Sequence, residues 1–160
     1  MDTMLTHLNI LLDGMKRKEQ ALVEVLSITE NQRTVIESEL PLDEVRNMIF
    51  SMNDEKQAAI QIVKDCDNMF ENMLKDMGQE LEAKQDMYKP QVKKLQDFIR
   101  RVMDLDVKIR VGEEENNRLL DARRSAEMPT HGLKPKTSSI LPDSRKVIQA
   151  YEQGSKNFKG

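Results

Sequence analysis

The sequence predicts an all-α protein: an elongated antiparallel helical bundle, resembling a coiled-coil hairpin, with a short C-terminal helix beyond a flexible linker. Three observations carry this. Apolar residues recur at gaps of three and four over long stretches, which is the period of one helix face. Charged residues make up 33% of the chain and aromatics only 4%, with no Trp, a mixture that suits amphipathic helices rather than a sheet sandwich. Gly and Pro number only 6 and 5 and are concentrated toward the end, so little interrupts the helical pattern before that. A length of 160 residues favours one domain, read as a helical body over 1–124 and a tail over 125–160.

The longest amphipathic stretch runs from Asn53 to Lys89. Ala59, Ile62, Val63, Cys66, Met69, Phe70, Met73, Leu74, Met77 and Leu81 form one apolar stripe, opposite Asp54, Lys64, Asp65, Glu71, Lys75 and Glu82. Such a helix needs others to cover its stripe. A first helix is expected over about 4–39, with a seam through Leu5, Leu8, Leu12, Met15, Leu22, Leu26, Thr29, Ile36 and Leu40. Glu19 is a charged break in that seam, Leu11, Val25 and Val35 widen it, and Gly14 permits a local bend. Pro41 ends this helix. A short helix over 42–52 follows, with Asp43 and Glu44 at its dipole-favoured start and Val45, Met48, Ile49 and Met52 on its apolar face. It either stops before a cap at Ser51–Asn53 or runs on into the long helix over 54–89.

Pro90 is read in two ways. It opens a third helix over 91–124 after a reversal, the favoured reading, or it kinks one continuous rod that would need a dimer partner along most of its length. The third helix has its stripe at Val92, Leu95, Phe98, Ile99, Val102, Leu105, Ile109, Asn116, Leu119 and Leu120, and turns polar over Gly112–Asn117. From Ser125 onward six basic residues stand against three acidic ones, leaving 19 against 25 in the body. Pro129, Gly132, Pro135 and Pro142 mark this region as a linker. Asp143 and Ser144 can cap a last helix over about 144–153, whose small apolar face is Val147, Ile148 and Tyr151.

No catalytic constellation assembles from the sequence, so the chain reads as a binding protein and not an enzyme. His7 and His131 stand apart with no partner at metal-ligand spacing, and neither a phosphate loop nor a serine elbow occurs, so no metal or cofactor is expected. Acid runs such as Glu113–Glu115 read as solvated charge. Lys93–Lys94 and Arg100–Arg101 are balanced by neighbours and form no nucleic-acid strip. No run reaches the length of a membrane span, and Met1–Leu12 lacks the basic residues of a targeting peptide. The single Cys66, on the apolar stripe, reads as a small buried hydrophobe in a reducing cytoplasm. Eleven Met residues suit either a surface that repacks around apolar partners or an irregular core.

The order of helices, linker and small terminal helix resembles the FlgN-type flagellar export chaperones. Asn116-Asn117-Arg118-Leu119-Leu120 resembles the N-x-x-L-L ending of that family's last long helix, and Ala150-Tyr151-Glu152-Gln153-Gly154 resembles its Tyr-x-x-Gly-like C-terminal segment. The Pro-rich gap before Tyr151 is longer, and the tail more basic, than the family pattern. The resemblance implies a cytoplasmic chaperone that binds the helical end of a flagellar hook-associated subunit, prevents its premature assembly and delivers it to the export gate. On that reading Val147, Ile148 and Tyr151 contact a partner, with Leu119 and Leu120 at the neighbouring bundle end. The alternative is a homodimeric coiled-coil scaffold with no secretion client, and a compact monomer at Pro90 distinguishes the two.

Overall fold

The computed structural model describes residues 2–127. They form α1 (Thr3–Ile36), α2 (Leu42–Ala83), a 3-10 turn (Gln85–Tyr88) and α3 (Lys89–Glu127), with no strand among the described residues. The expected helix over 144–153, with Val147, Ile148 and Tyr151, lies outside them. Lys18 pairs with Asp67 and Lys56 with Gln32, so α2 runs antiparallel to α1. Tyr88 meets Asp2, Arg101 meets Glu19 and Arg123 meets Ile36, so α3 runs parallel to α1. The result is an up-down-up bundle in which α1 packs along both other helices. The organising helix is therefore α1 rather than the longer one that follows it. Its sequence allows this because Leu11, Val25 and Val35 widen the seam: Leu11 and Val25 are fully buried alongside Leu8.

Each apolar stripe contributes to one core. Leu8, Leu11 and Val25 meet Val63, Phe70 and Leu81 from α2 and Leu95, Ile99, Val102 and Ile109 from α3. The charged face of α2 is exposed from Asp54 to Glu82 as the pattern requires. Cys66 is buried, and burial pushes its thiol upward in pKa, consistent with a space-filling role.

The turns explain where the boundaries depart from expectation. α1 stops at Ile36, three residues early, because the Ser38 hydroxyl donates to Val35 O at 2.6 Å while Glu37 N–H closes on Arg33 O. No break separates 42–52 from 54–89: α2 is continuous from Leu42. Asn53 does not cap a new helix, because its side-chain oxygen accepts from Gln32 of α1 at 2.6 Å. At the other end α2 stops at Ala83 instead of running to Lys89. Pro90 has no N–H to bond residue 86 and its ring would crowd that carbonyl, so a helix cannot propagate through it. It sits instead in the first turn of α3, where the missing donor costs nothing. The reversal reading of Pro90 therefore holds. α3 also runs through Ser125 to Glu127, past the expected linker start.

Gly14 produces no break in α1. Its missing side chain instead admits the Met69 methyl from α2, which a Cβ at this position would overlap. Both ends of the bundle are tied by single side chains. The Tyr88 hydroxyl donates to the Asp2 carboxylate at 2.8 Å, and that carboxylate also caps α1 by accepting from Leu5 N–H. The bond from Tyr88 holds the Asp2 carboxyl below its usual range. At the far end Arg123 donates to Ile36 O, Ser38 O and Leu40 O at 3.1, 3.3 and 2.8 Å. It thereby satisfies carbonyls that the end of α1 leaves without helical partners.

Leu95 is fully buried between the helices. Leu95→Ala should lower unfolding free energy by about 2–5 kcal/mol in urea titrations, with an unchanged m-value.

Candidate functional site: a buried polar seam beside an apolar groove

Polar residues interrupt the core at two levels. Toward the Arg123 end, Lys56 of α2 is wholly buried and donates to Gln32 Oε1 of α1 and to Glu113 Oε1 of α3. Gln32 in turn donates to Asn53 Oδ1. The Thr29 hydroxyl donates to Val25 O at 2.8 Å and lies 3.3 Å from Glu113 Oε1. Asn116 donates to Thr29 O at 2.9 Å. Burial lowers the Lys56 pKa, and the Glu113 carboxylate opposes that shift. The seam joins all three helices at one level through a charge pair that removal of either partner would leave unbalanced. Nearer the middle, the buried Lys18 pairs with Asp67, whose carboxylate is partly exposed.

Glu113 thus corrects the expectation that the 113–115 run is solvated. Glu114 is exposed and Glu115 pairs with Arg118 at 2.6 Å, but Glu113 is 3% exposed. The reason lies in periodicity: Ile109, Glu113 and Asn116 are spaced by four and three, so Glu113 continues the buried face of α3. Lys56 obeys the same rule, four before Ile60 and three before Ala59, and Lys18 lies three after Met15 and four before Leu22. Spacing could have located all three, but their charge argues for the surface.

A groove of about 340 Å³ opens beside this seam between α1 and α3. Leu26, Thr29, Glu30 and Arg33 form one wall, and Val107, Lys108, Val111, Gly112 and Asn116 the other. Its closeness at one point follows from Gly112, where a Cβ would stand 3.0 Å from Thr29 Cγ2. Val107 and Val111, one turn apart, are 42% and 57% exposed on the rim. Arg33 is drawn to one side by Glu37 at 2.8 Å. The groove offers an apolar strip with an ammonium from Lys108 and a carboxylate from Glu30 at its edges. That combination suits adhesion to an apolar side-chain row.

Of the contact residues expected from the sequence, two lie among the described residues. Leu119 and Leu120 are half-buried on α3, one to two turns beyond the groove toward the Arg123 end. Val147, Ile148 and Tyr151 are outside the described residues. Among the described residues no group of His, Cys, Asp and Glu is arranged to hold a metal, and no helix is long and apolar enough to cross a membrane. Over the described residues, the fold and the groove define the class: an all-α three-helix bundle with a partly open apolar face. No protein-family model matches the chain, and neither does a curated protein or a solved structure.

The seam gives a double-mutant prediction. Glu113→Leu alone leaves Lys56 buried without its carboxylate and should cost about 3–5 kcal/mol. Combining it with Lys56→Met should recover most of that loss, because both charges are then removed together. Equilibrium denaturation of the two single variants and the double variant measures the coupling.

Proposed function

We propose that the protein is an export chaperone of the FlgN type, which holds the amphipathic helical end of a flagellar hook-associated subunit until it is delivered to the secretion apparatus. The observation that carries the binding part is the α1–α3 groove, with Val107 and Val111 exposed one turn apart. A client helix lays apolar residues at i and i+3 or i+4 into such a strip, and shielding them there stops the client assembling early. The flagellar part rests on the two short motifs, 116–120 and 150–154. Asn116 is already occupied in the bundle by its bond to Thr29 O, so within the first motif the contact role falls to Leu119 and Leu120. Both are half-buried on α3, beyond the groove toward the bundle end. In the second motif the role falls to Tyr151, together with the nearby Val147 and Ile148.

The coiled-coil scaffold is the weaker reading. A two-chain rod needs apolar stripes that remain uncovered within one chain. Here α3 turns back along α1, and the stripes of all three helices share one core.

Two measurements test the proposal. Val107→Asp with Val111→Asp should keep the far-UV circular dichroism of the parent. Affinity for a peptide spanning the client's terminal helix should fall at least tenfold in calorimetry, and unchanged affinity would remove the groove from the mechanism. Ile148→Ser with Tyr151→Ser should likewise abolish pull-down of the client while leaving the bundle folded.

A further inference from the structure

The two rims of the α1–α3 groove carry charges in a matched order. On α1, Glu19, Val23, Leu26, Glu30, Arg33 and Glu37 are spaced by four and three and share one face. On α3, Arg101, Asp104, Lys108, Val111, Glu115 and Arg118 do the same. Across the groove the signs are opposite. Glu19 pairs with Arg101 at 2.6 Å. The Glu115 carboxyl is held below its usual range first by its bond from Arg118, and also by Arg33 from the other rim. The offset of 82 residues set by Glu19 and Arg101 brings Glu37 level with Arg118 to within one residue. Asp104, level with Val23, meets no opposite charge there. Glu30 and Lys108 line the groove between these rungs, and neither is ion-paired with another described residue. Beside them Val23, Val107 and Val111 remain exposed.

We propose that a second copy of this chain seats on this face, related by a two-fold axis that runs along the groove. Such an axis lays α3 of each copy over α1 of the other, in parallel and without sliding along the helices. Each rung then meets its complement. Arg101 faces the partner's Glu19, Glu115 the partner's Arg33, and Arg118 the partner's Glu37. Lys108 reaches the partner's Glu30, about one helical turn (~5.4 Å) further along. Val107 and Val111 come to lie over the partner's Leu26. Rim charges of this kind fix register and orientation more than they add affinity. From Glu19 to Glu37 the face is about 27 Å long and two helices (about 20 Å) wide. Each copy therefore covers on the order of 500 Å², below the ~800 Å² of a standard stable interface. The association is weak and reversible, and a client can displace it. It rests on the groove of the client reading but not on the client. A chain that stays monomeric yet binds the client peptide sinks the self-association and leaves that reading standing, and a chain that self-associates but ignores the peptide does the reverse.

The test is sedimentation of the full chain and two charge reversals. The parent's mean mass should rise with concentration, with self-association setting in on the order of 100 µM for so small a face. Glu30→Lys sets ammonium against ammonium across the axis, and Lys108→Glu sets carboxylate against carboxylate. Each variant alone should dimerise at least tenfold more weakly than the parent. Mixed in equal amounts, the two variants should associate with each other about as well as the parent does with itself, because every such contact is then attractive. Both positions are exposed, so far-UV circular dichroism should match the parent. In the unaltered chain, the Val107 and Val111 methyl resonances should shift with concentration while those of the buried Val63 stay fixed. A parent that is monomeric up to about 1 mM overturns the proposal. So does a mixture that stays monomeric, or a reversed variant that dimerises as the parent does. The methyl resonances need no variant and decide the matter if a reversed chain fails to fold.

Discussion

A lysine ammonium inside a helical interior must be met by an anion, and two such lysines govern how this bundle is put together. Lys18 on α1 takes Asp67 from α2, and Lys56 on α2 takes Glu113 from α3. Apolar packing is tolerant of sliding, since one Leu can replace another in a stripe of similar residues. Ion pairs are not. Moving α3 by one turn against α2 would leave Lys56 without its carboxylate, an error of several kcal/mol against a total stability of about 5–15 kcal/mol. The hydrophobic stripes bring the helices together, and the buried charges select one register from those the stripes would allow.

The open face follows from the same register. With Asn116 bonded to Thr29 O and Gly112 pressed against Thr29, the backbones of α1 and α3 are held close at that level. Leu26 and Val107, about a turn toward the other end, then stand at the sides of a groove instead of filling it. Polar anchoring deep in the bundle thus shapes an apolar surface outside it. Placement of the seam residues and accessibility of the groove are linked through Thr29, which belongs to both.

Much of this was legible in the sequence, for reasons tied to individual residues. The 3.6-residue period located the stripes, and the buried residues of α3 from Val92 to Ile109 fall where that period places them. Pro41 marked the first reversal because it pushes the residue before it out of the helical region, and Pro90 the second because it lacks a donor. The division at residues 52–54 stays ambiguous in the sequence because Ser51 and Asn53 are good capping residues locally, whereas in the fold Asn53 is claimed by Gln32 from another helix. Gly14 suggested a bend for the same reason: helix propensity contains no information about Met69. The polar seam was hidden by its charge. Lys18, Lys56 and Glu113 occupy buried spacings, but only the tertiary fold reveals that each has a partner of opposite sign 49 or 57 residues away. The groove depends on how two helices that are distant in sequence approach each other, which no local pattern specifies.

Arg123 has a further consequence during synthesis. The hairpin of α1 and α2 is complete on the ribosome well before α3 emerges. Until then the carbonyls at Ile36, Ser38 and Leu40 lack the guanidinium that later covers them, and Lys56 lacks Glu113. The nascent hairpin is therefore an unfinished structure, greasy along one flank and carrying an uncompensated positive charge. A chain that ends before residue 113 therefore lacks both the carboxylate of the Lys56 pair and part of the helix that covers one flank of α1.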